Sequence, residues 1–232
     1  MSCLRNFHVI CVVLWTMLGL MSSSEVLPEM KSFGAGGKPA ETSWKWSRDI
    51  VNVQPDPCTS DSGTTGICYK PSDCNEFPEG VGDGSCALGV GVCCTFIYDG
   101  CYLTAKYAAA VFENPSYPNP EMTSYNSCPL AITPANNNIC QIRLDFGAFT
   151  LAGPNAEGVC DQDAFTVTGA TSAVPVICGE NTKQHMYFEV TPGFNNVVLD
   201  VKTSTAGSKW QISVTQIECT SPSRVPSVCL QY

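Results

Sequence analysis

The stretch ICQIRLDFGAFTL, residues 139–151, sets Ile142, Leu144 and Phe146 in alternation with Gln141, Arg143 and Asp145. A strict period of two is the pattern of a strand that buries one face and wets the other. Four more segments of the same texture follow: FTVTG at 165–169, HMYFEV at 185–190, VVLDVKT at 197–203 and KWQISVTQI at 209–217, separated by Gly, Pro and Asn. Short strands recurring between turn residues predict a β-sandwich. With 19 Gly and 16 Pro spread among β-branched and aromatic residues, the composition favours the same all-β outcome over long helices.

Upstream the texture changes. CTSDSGTTGICYKPSDCNEFPEGVGDGSCALGVGVCC, residues 58–94, holds six cysteines and ends in the adjacent pair Cys93 and Cys94. So short a segment cannot bury enough apolar surface to fold without cross-links, so three bridges are expected, with fifteen connectivities open. Residues 25–57 show no lasting period and read as a flexible leader or linker, in which Trp44 and Trp46 are either a contact for a partner or a packing anchor. At the N-terminus Arg5 precedes the apolar run Val9 to Leu20, and Ser22 and Ser24 stand at the minus-three and minus-one positions of a cut before Glu25. Residues 1–24 thus read as a signal peptide. A transmembrane helix competes, but the run falls short of the ~18–20 apolar residues that span hydrocarbon. A secreted, extracellular chain without membrane insertion is the expectation.

Of the fifteen cysteines, Cys3 and Cys11 lie in the signal, and thirteen remain. That density in an exported chain reads as a disulfide framework. Net charge is −9, charged residues are 14% and there is no basic run, so nucleic acid and anionic membranes are poor partners. Catalytic chemistry is scarce. His185 is the one histidine left after His8 is removed with the signal, and neither a GxSxG elbow nor a GDSGG motif occurs. A zinc site would need more histidine, or cysteines not better used as bridges. The chain is expected not to be an enzyme and to carry no cofactor.

Cys101 is followed by NPSYP at 114–118 and then by Cys128 before PLAI, while Cys160 leads DQDAFTVTG and Cys178 with Gly179 closes that segment. In this order these features resemble a CUB domain over residues 98–219, and they look closest to the divergent CUB domains of secreted arthropod proteins. The cysteine spacing of residues 58–94 resembles a clip domain, the module that precedes serine proteases of arthropod cascades. The resemblances imply an all-β chain, a CUB-type β-sandwich preceded by a small disulfide-rich clip-like module. They imply the pairs Cys58 with Cys93, Cys68 with Cys86, Cys74 with Cys94, Cys101 with Cys128, and Cys160 with Cys178. Cys140 and Cys219 sit at the ends of alternating strands, and a bridge between them is a hypothesis of its own. Cys229 is left unpaired or with its partner missing, so residues 220–232 read as the start of a further segment of a longer chain.

Many CUB domains bind calcium through a Tyr and three acids and use the acid cluster to capture a basic side chain. Here Asp163 matches one acid, but Ala152 and the pair Thr203 and Ser204 stand where the others are expected. One carboxylate does not offset the dehydration of a hard divalent cation. Asp161 and Glu157 near Asp163 are the alternative metal candidates, against the reading of a solvated acidic loop. No N-x-S/T acceptor occurs after the signal; Asn126-Ser127-Cys128 is a rare variant. The resemblance implies a non-catalytic extracellular protein that recognises a protein or carbohydrate partner. The alternative is the regulatory N-terminal part of a truncated secreted serine protease or protease homologue. A membrane-disrupting peptide in the knot is disfavoured, because Asp61, Asp73, Glu76, Glu79 and Asp83 face only Lys70.

Overall fold

In the computed structural model the described residues are 52–204, 206–227 and 230–231. Residues 1–24, read above as a signal peptide, residues 25–51 of the expected leader, and Cys229 lie outside them.

The cysteine-rich segment forms β1 (Pro57–Thr59), β2 (Thr65–Tyr69), a one-turn helix α1 (Pro71–Cys74), β3 (Gly80–Cys86) and β4 (Gly91–Tyr98). The first half of β4 pairs with β2 on one side and β3 on the other. Three bridges close this knot: Cys58–Cys93, Cys68–Cys86 and Cys74–Cys94, each with Cα atoms 5.7–5.9 Å apart. Gly91 is needed where it stands. A Cβ there would lie 2.8 Å from both Cys68 Sγ and Cys86 Sγ.

The remaining strands are β5 (Leu103–Ala105), β6 (Ala109–Glu113), β7 (Tyr125–Ile132), β8 (Ile139–Thr150), β9 (Ala164–Thr168), β10 (His185–Glu189), β11 (Val197–Thr203) and β12 (Lys209–Glu218). They make two facing sheets. One runs β5-β7-β11-β9; the other continues from the knot as β1-β2-β4-β6-β12-β8-β10, with β3 attached to β4. Inward residues alternate along each strand, so Ile142, Leu144 and Phe146 of β8 meet Phe165, Leu199 and Val201 of the facing sheet in one apolar core. Cys101–Cys128, Cys140–Cys219 and Cys160–Cys178 are bonded in this part.

The knot and the sandwich share a strand. The second half of β4 turns from β2 to pair in parallel with β6, Ile97 opposite Val111 and Tyr98 opposite Phe112. Phe96 stacks on Tyr107 at 3.9 Å between ring centres, and Phe77 packs edge-on against both at 5.3–5.4 Å. Phe96 is fully buried, worth a few kcal/mol, while Phe77 and Tyr107 are partly buried against it. The same buried cluster includes Ile67 and Phe96 of the knot and Phe112 and Trp210 of the sandwich.

Residues 220–227 and 230–231 lie back on the outside of this sheet. Val225 gives its N–H to Gln141 Oε1 and its carbonyl accepts from Gln141 Nε2, both at 3.1 Å. Arg224 meets Glu189 at 2.7 Å, and Tyr187 N donates to Leu230 O at 2.8 Å. Gln141, on the face of β8 expected to be wet, is buried by this segment.

Candidate functional site

The outward side chains of three neighbouring strands line up in rows, because residues directly opposite on paired strands share a face. Thr215 of β12 stands opposite Arg143 of β8, which stands opposite Tyr187 of β10. In the next row the order is Ser213, Asp145, His185. Thr215, Arg143, Tyr187, Ser213 and Asp145 floor a groove of about 850 Å³, with His185 beyond its edge. One wall is the knot, from Pro55 to Pro57 and Gly63 to Thr65; the other is the turn after β12, including Glu218 and Thr220 to Ser223. Gly147 also lines it, and a Cβ there would lie 2.6 Å from Gln211 Oε1.

The floor is held by a charge-assisted cluster. Arg143 donates from Nε to Asp145 Oδ2 at 2.7 Å, from one terminal nitrogen to Oδ1 at 2.6 Å, and from the other to the Tyr187 hydroxyl at 2.7 Å. The guanidinium also lies over the Tyr187 ring, 5.3 Å from its centre. The hydrogen bonds to Asp145 raise the Arg143 pKa above its ordinary value. This fork-to-fork pair fixes both side chains in one plane.

Ser213, Asp145 and His185 are the residue types of a nucleophilic relay, but their order is wrong for one. A relay needs the imidazole between hydroxyl and carboxylate. Here Asp145 is central and engaged with Arg143, while Ser213 and His185 lie on strands two apart, a backbone separation of roughly 9–10 Å. His185 packs edge-on against Tyr187 instead.

The three metal candidates fall in two environments. Asp163 is fully buried; its Oδ2 accepts from Ala152 N at 2.9 Å and from Ser208 Oγ at 2.7 Å, and its Oδ1 accepts from Ser204 N at 2.7 Å. Ala152 and Ser204 are two of the positions where the resemblance looks for further acids. Asp161 and Glu157 lie outside on an exposed loop, where Asp161 accepts from Asn155 Nδ2 at 2.9 Å. N–H and O–H donors around one carboxylate are the reverse of the oxygen cage that calcium requires. No group of three His, Cys, Asp or Glu residues among the described residues is placed to hold a metal. The donor set does not fit a calcium ion.

No protein-family model matches the chain, and no curated protein matches it by sequence. Among solved structures it is similar to the full extracellular region of zebrafish Gpr126/Adgrg6, at TM-score 0.39 and 22% identity over 50% of this chain and 14% of that one. It is also similar to the MASP-1 CUB2 domain bound to Ca2+, at TM-score 0.39 and 16% identity over 50% of this chain and 98% of that one. The human MASP-1/3 CUB1-EGF-CUB2 structure gives TM-score 0.40 and 13% identity, covering 68% of this chain and 55% of that one.

A second buried carboxylate went unread in the sequence. Glu121 accepts from Asn114 Nδ2 at 3.0 Å, Ser116 N at 2.7 Å and the Tyr125 hydroxyl at 3.1 Å. Burial pushes its pKa up, but these hydrogen bonds together outweigh it and hold the carboxyl below its ordinary value. Asn114, at the head of NPSYP, also accepts from Trp210 N through Oδ1 at 3.0 Å, so the network pins this loop to β12. The motif marks the loop; nothing in its spacing marks Glu121. The floor residues had one signal, the period-two alternation of 139–151, 185–190 and 209–217, which identifies outward positions but not which strands are neighbours.

Proposed function

We propose that this chain is a secreted, non-catalytic extracellular binding protein that recognises a protein or carbohydrate partner through its CUB-like sandwich. The observation that carries the reading is the groove, built jointly by knot and sandwich over a rigid Arg143–Asp145–Tyr187 floor. A concave site with a few fixed polar groups and no assembled relay suits recognition rather than turnover. Six disulfides among the described residues fit an oxidising compartment, in keeping with the signal peptide expected over 1–24. No helix among the described residues is long and apolar enough to cross a membrane.

The test is expression of the full chain in secretory cells. The protein is expected in the medium with its bridges formed, to bind on arrays of extracellular proteins or glycans, and to leave ester and peptide substrates intact. Hydrolysis that disappears in Ser213→Ala would sink the non-catalytic reading. Retention inside the cell would sink the secreted one.

A further inference from the structure

Two features of the groove are not used by the fold. Ser213 is 6% exposed, yet it lines the groove and its hydroxyl has no hydrogen-bond partner among the described residues. That oxygen is open to the groove and not sealed in the core, so it offers a ligand group one donor and two acceptor sites. The second feature is charge. Asp56 on the knot wall, Asp145 on the floor and Glu218 on the far wall face one cation among the described lining residues, Arg143. Arg143 is spent on Asp145, and the ion pairs of the described residues are Arg143–Asp145 and Arg224–Glu189, so neither Asp56 nor Glu218 has a cation partner. Glu218 is steadied by the neutral amide of Asn136 at 2.8 Å.

We infer that the groove binds a basic segment of polypeptide, one Lys or Arg side chain reaching the Ser213 hydroxyl and the outer lone pairs of Asp145 while neighbouring basic residues meet Asp56 and Glu218. This rests on the reading of the chain as a binding protein and names the ligand class of its groove. The carboxylate of Asp145 can accept further bonds, since Arg143 occupies one direction on each oxygen and a carboxylate offers about four acceptor sites. The apolar stem of a long basic side chain is accommodated by Ala108 and Ile217 in the same lining. An anionic glycan would meet two uncompensated carboxylates. A neutral glycan would leave them unused, and among the described lining residues the one aromatic ring, Tyr187, is 5% exposed and offers little surface to stack on. The charge arrangement therefore selects a cation.

The experiment is calorimetry on the full, oxidised, secreted chain at low ionic strength, with three probes: octalysine, octaglutamate and a neutral β-linked glucose hexasaccharide. Octalysine is expected to bind and the other two are not. Because the whole chain is acidic, the control is positional. The double variant Asp56→Asn/Glu218→Gln is expected to weaken octalysine binding at least tenfold. Asp73→Asn/Glu76→Gln, an equal charge change outside the groove, is expected to weaken it less than twofold. Thr215→Trp fills the floor without changing charge and is expected to cost at least tenfold; if its Tm falls, Ser213→Ala replaces it, with an expected loss of at least threefold. Equal losses in the two double variants would overturn the proposal in favour of general attraction to an acidic surface. Hexasaccharide binding abolished by Thr215→Trp would overturn the basic ligand while leaving a binding protein. Absence of binding by every probe overturns the proposal, and the array experiment above then decides separately whether the chain binds anything.

Discussion

Asp163 gathers two backbone N–H groups and a hydroxyl from three separate segments onto one buried carboxylate, so its charge does the work that a cation would do with the opposite sign. Asp163→Asn places an amide N–H against a backbone N–H and leaves a donor unmet. It is expected to cost about 2–4 kcal/mol in urea unfolding, and a loss under about 0.5 kcal/mol would refute the role. Millimolar calcium is expected to leave the wild-type Tm unchanged; a rise of several degrees would reinstate a metal. Glu113 shows the other sign. Burial raises its carboxyl pKa, the Asp99 charge adds to this, and the hydrogen bond from Gln211 Nε2 at 2.8 Å opposes it. A carboxyl whose pKa is higher folded than unfolded favours the folded state while protonated, and that contribution is lost as pH rises through the folded value. Glu113→Gln is therefore expected to raise Tm relative to wild type at pH 7, with the gap closing below the ordinary carboxylate range. A gap that is constant with pH would show that Glu113 titrates normally.

Among the elements, the turn joining β3 to β4 carries an avoidable cost. Ala87 and Leu88 have φ of 48° and 58°, the left-handed region disfavoured for residues with a Cβ, and Leu88 is fully exposed. Leu88→Gly is expected to stabilise the oxidised protein by about 0.5–1 kcal/mol, less than the full relief because glycine also loosens the unfolded chain. Thermal unfolding checks this, and destabilisation would mean that Leu88 makes a contact in solution. The strands differ in how far the sequence shows them, for a physical reason. Half-buried β8 and β12 alternate and can be read directly. All five residues of β6, AAVFE, are buried, so neither face is wet and no period of two survives to be read. β5 is three residues long and leaves no pattern at all. The groove was half legible. Alternation shows that Arg143, Asp145, Ser213 and Thr215 point outward, but β8 and β12 meet only through pairing of residues some seventy positions apart, which no local pattern encodes. Gln141 was misjudged as wet because its cover, Val225, comes from a segment after the last strand.

For the whole molecule, the strand shared by knot and sandwich is the controlling feature. With Phe96, Phe77 and Tyr107 packed across the seam, the two parts are expected to unfold in one cooperative transition under oxidising conditions. Phe96→Ala is expected to lower that transition by about 3–5 kcal/mol without splitting it. Scanning calorimetry that resolves two peaks in the wild type would show that the seam is weak. The same strand also sets how the molecule carries mechanical load. A pull entering near Pro57 passes through the Cys58–Cys93 bond directly into β4, bypassing the loops between, and then meets the parallel β4–β6 pairing. Tension there is transmitted along a covalent short cut into the middle of the sheet. The knot serves as a grip fastened to the sandwich, and little slack is available until a disulfide is reduced or the sheet itself gives way.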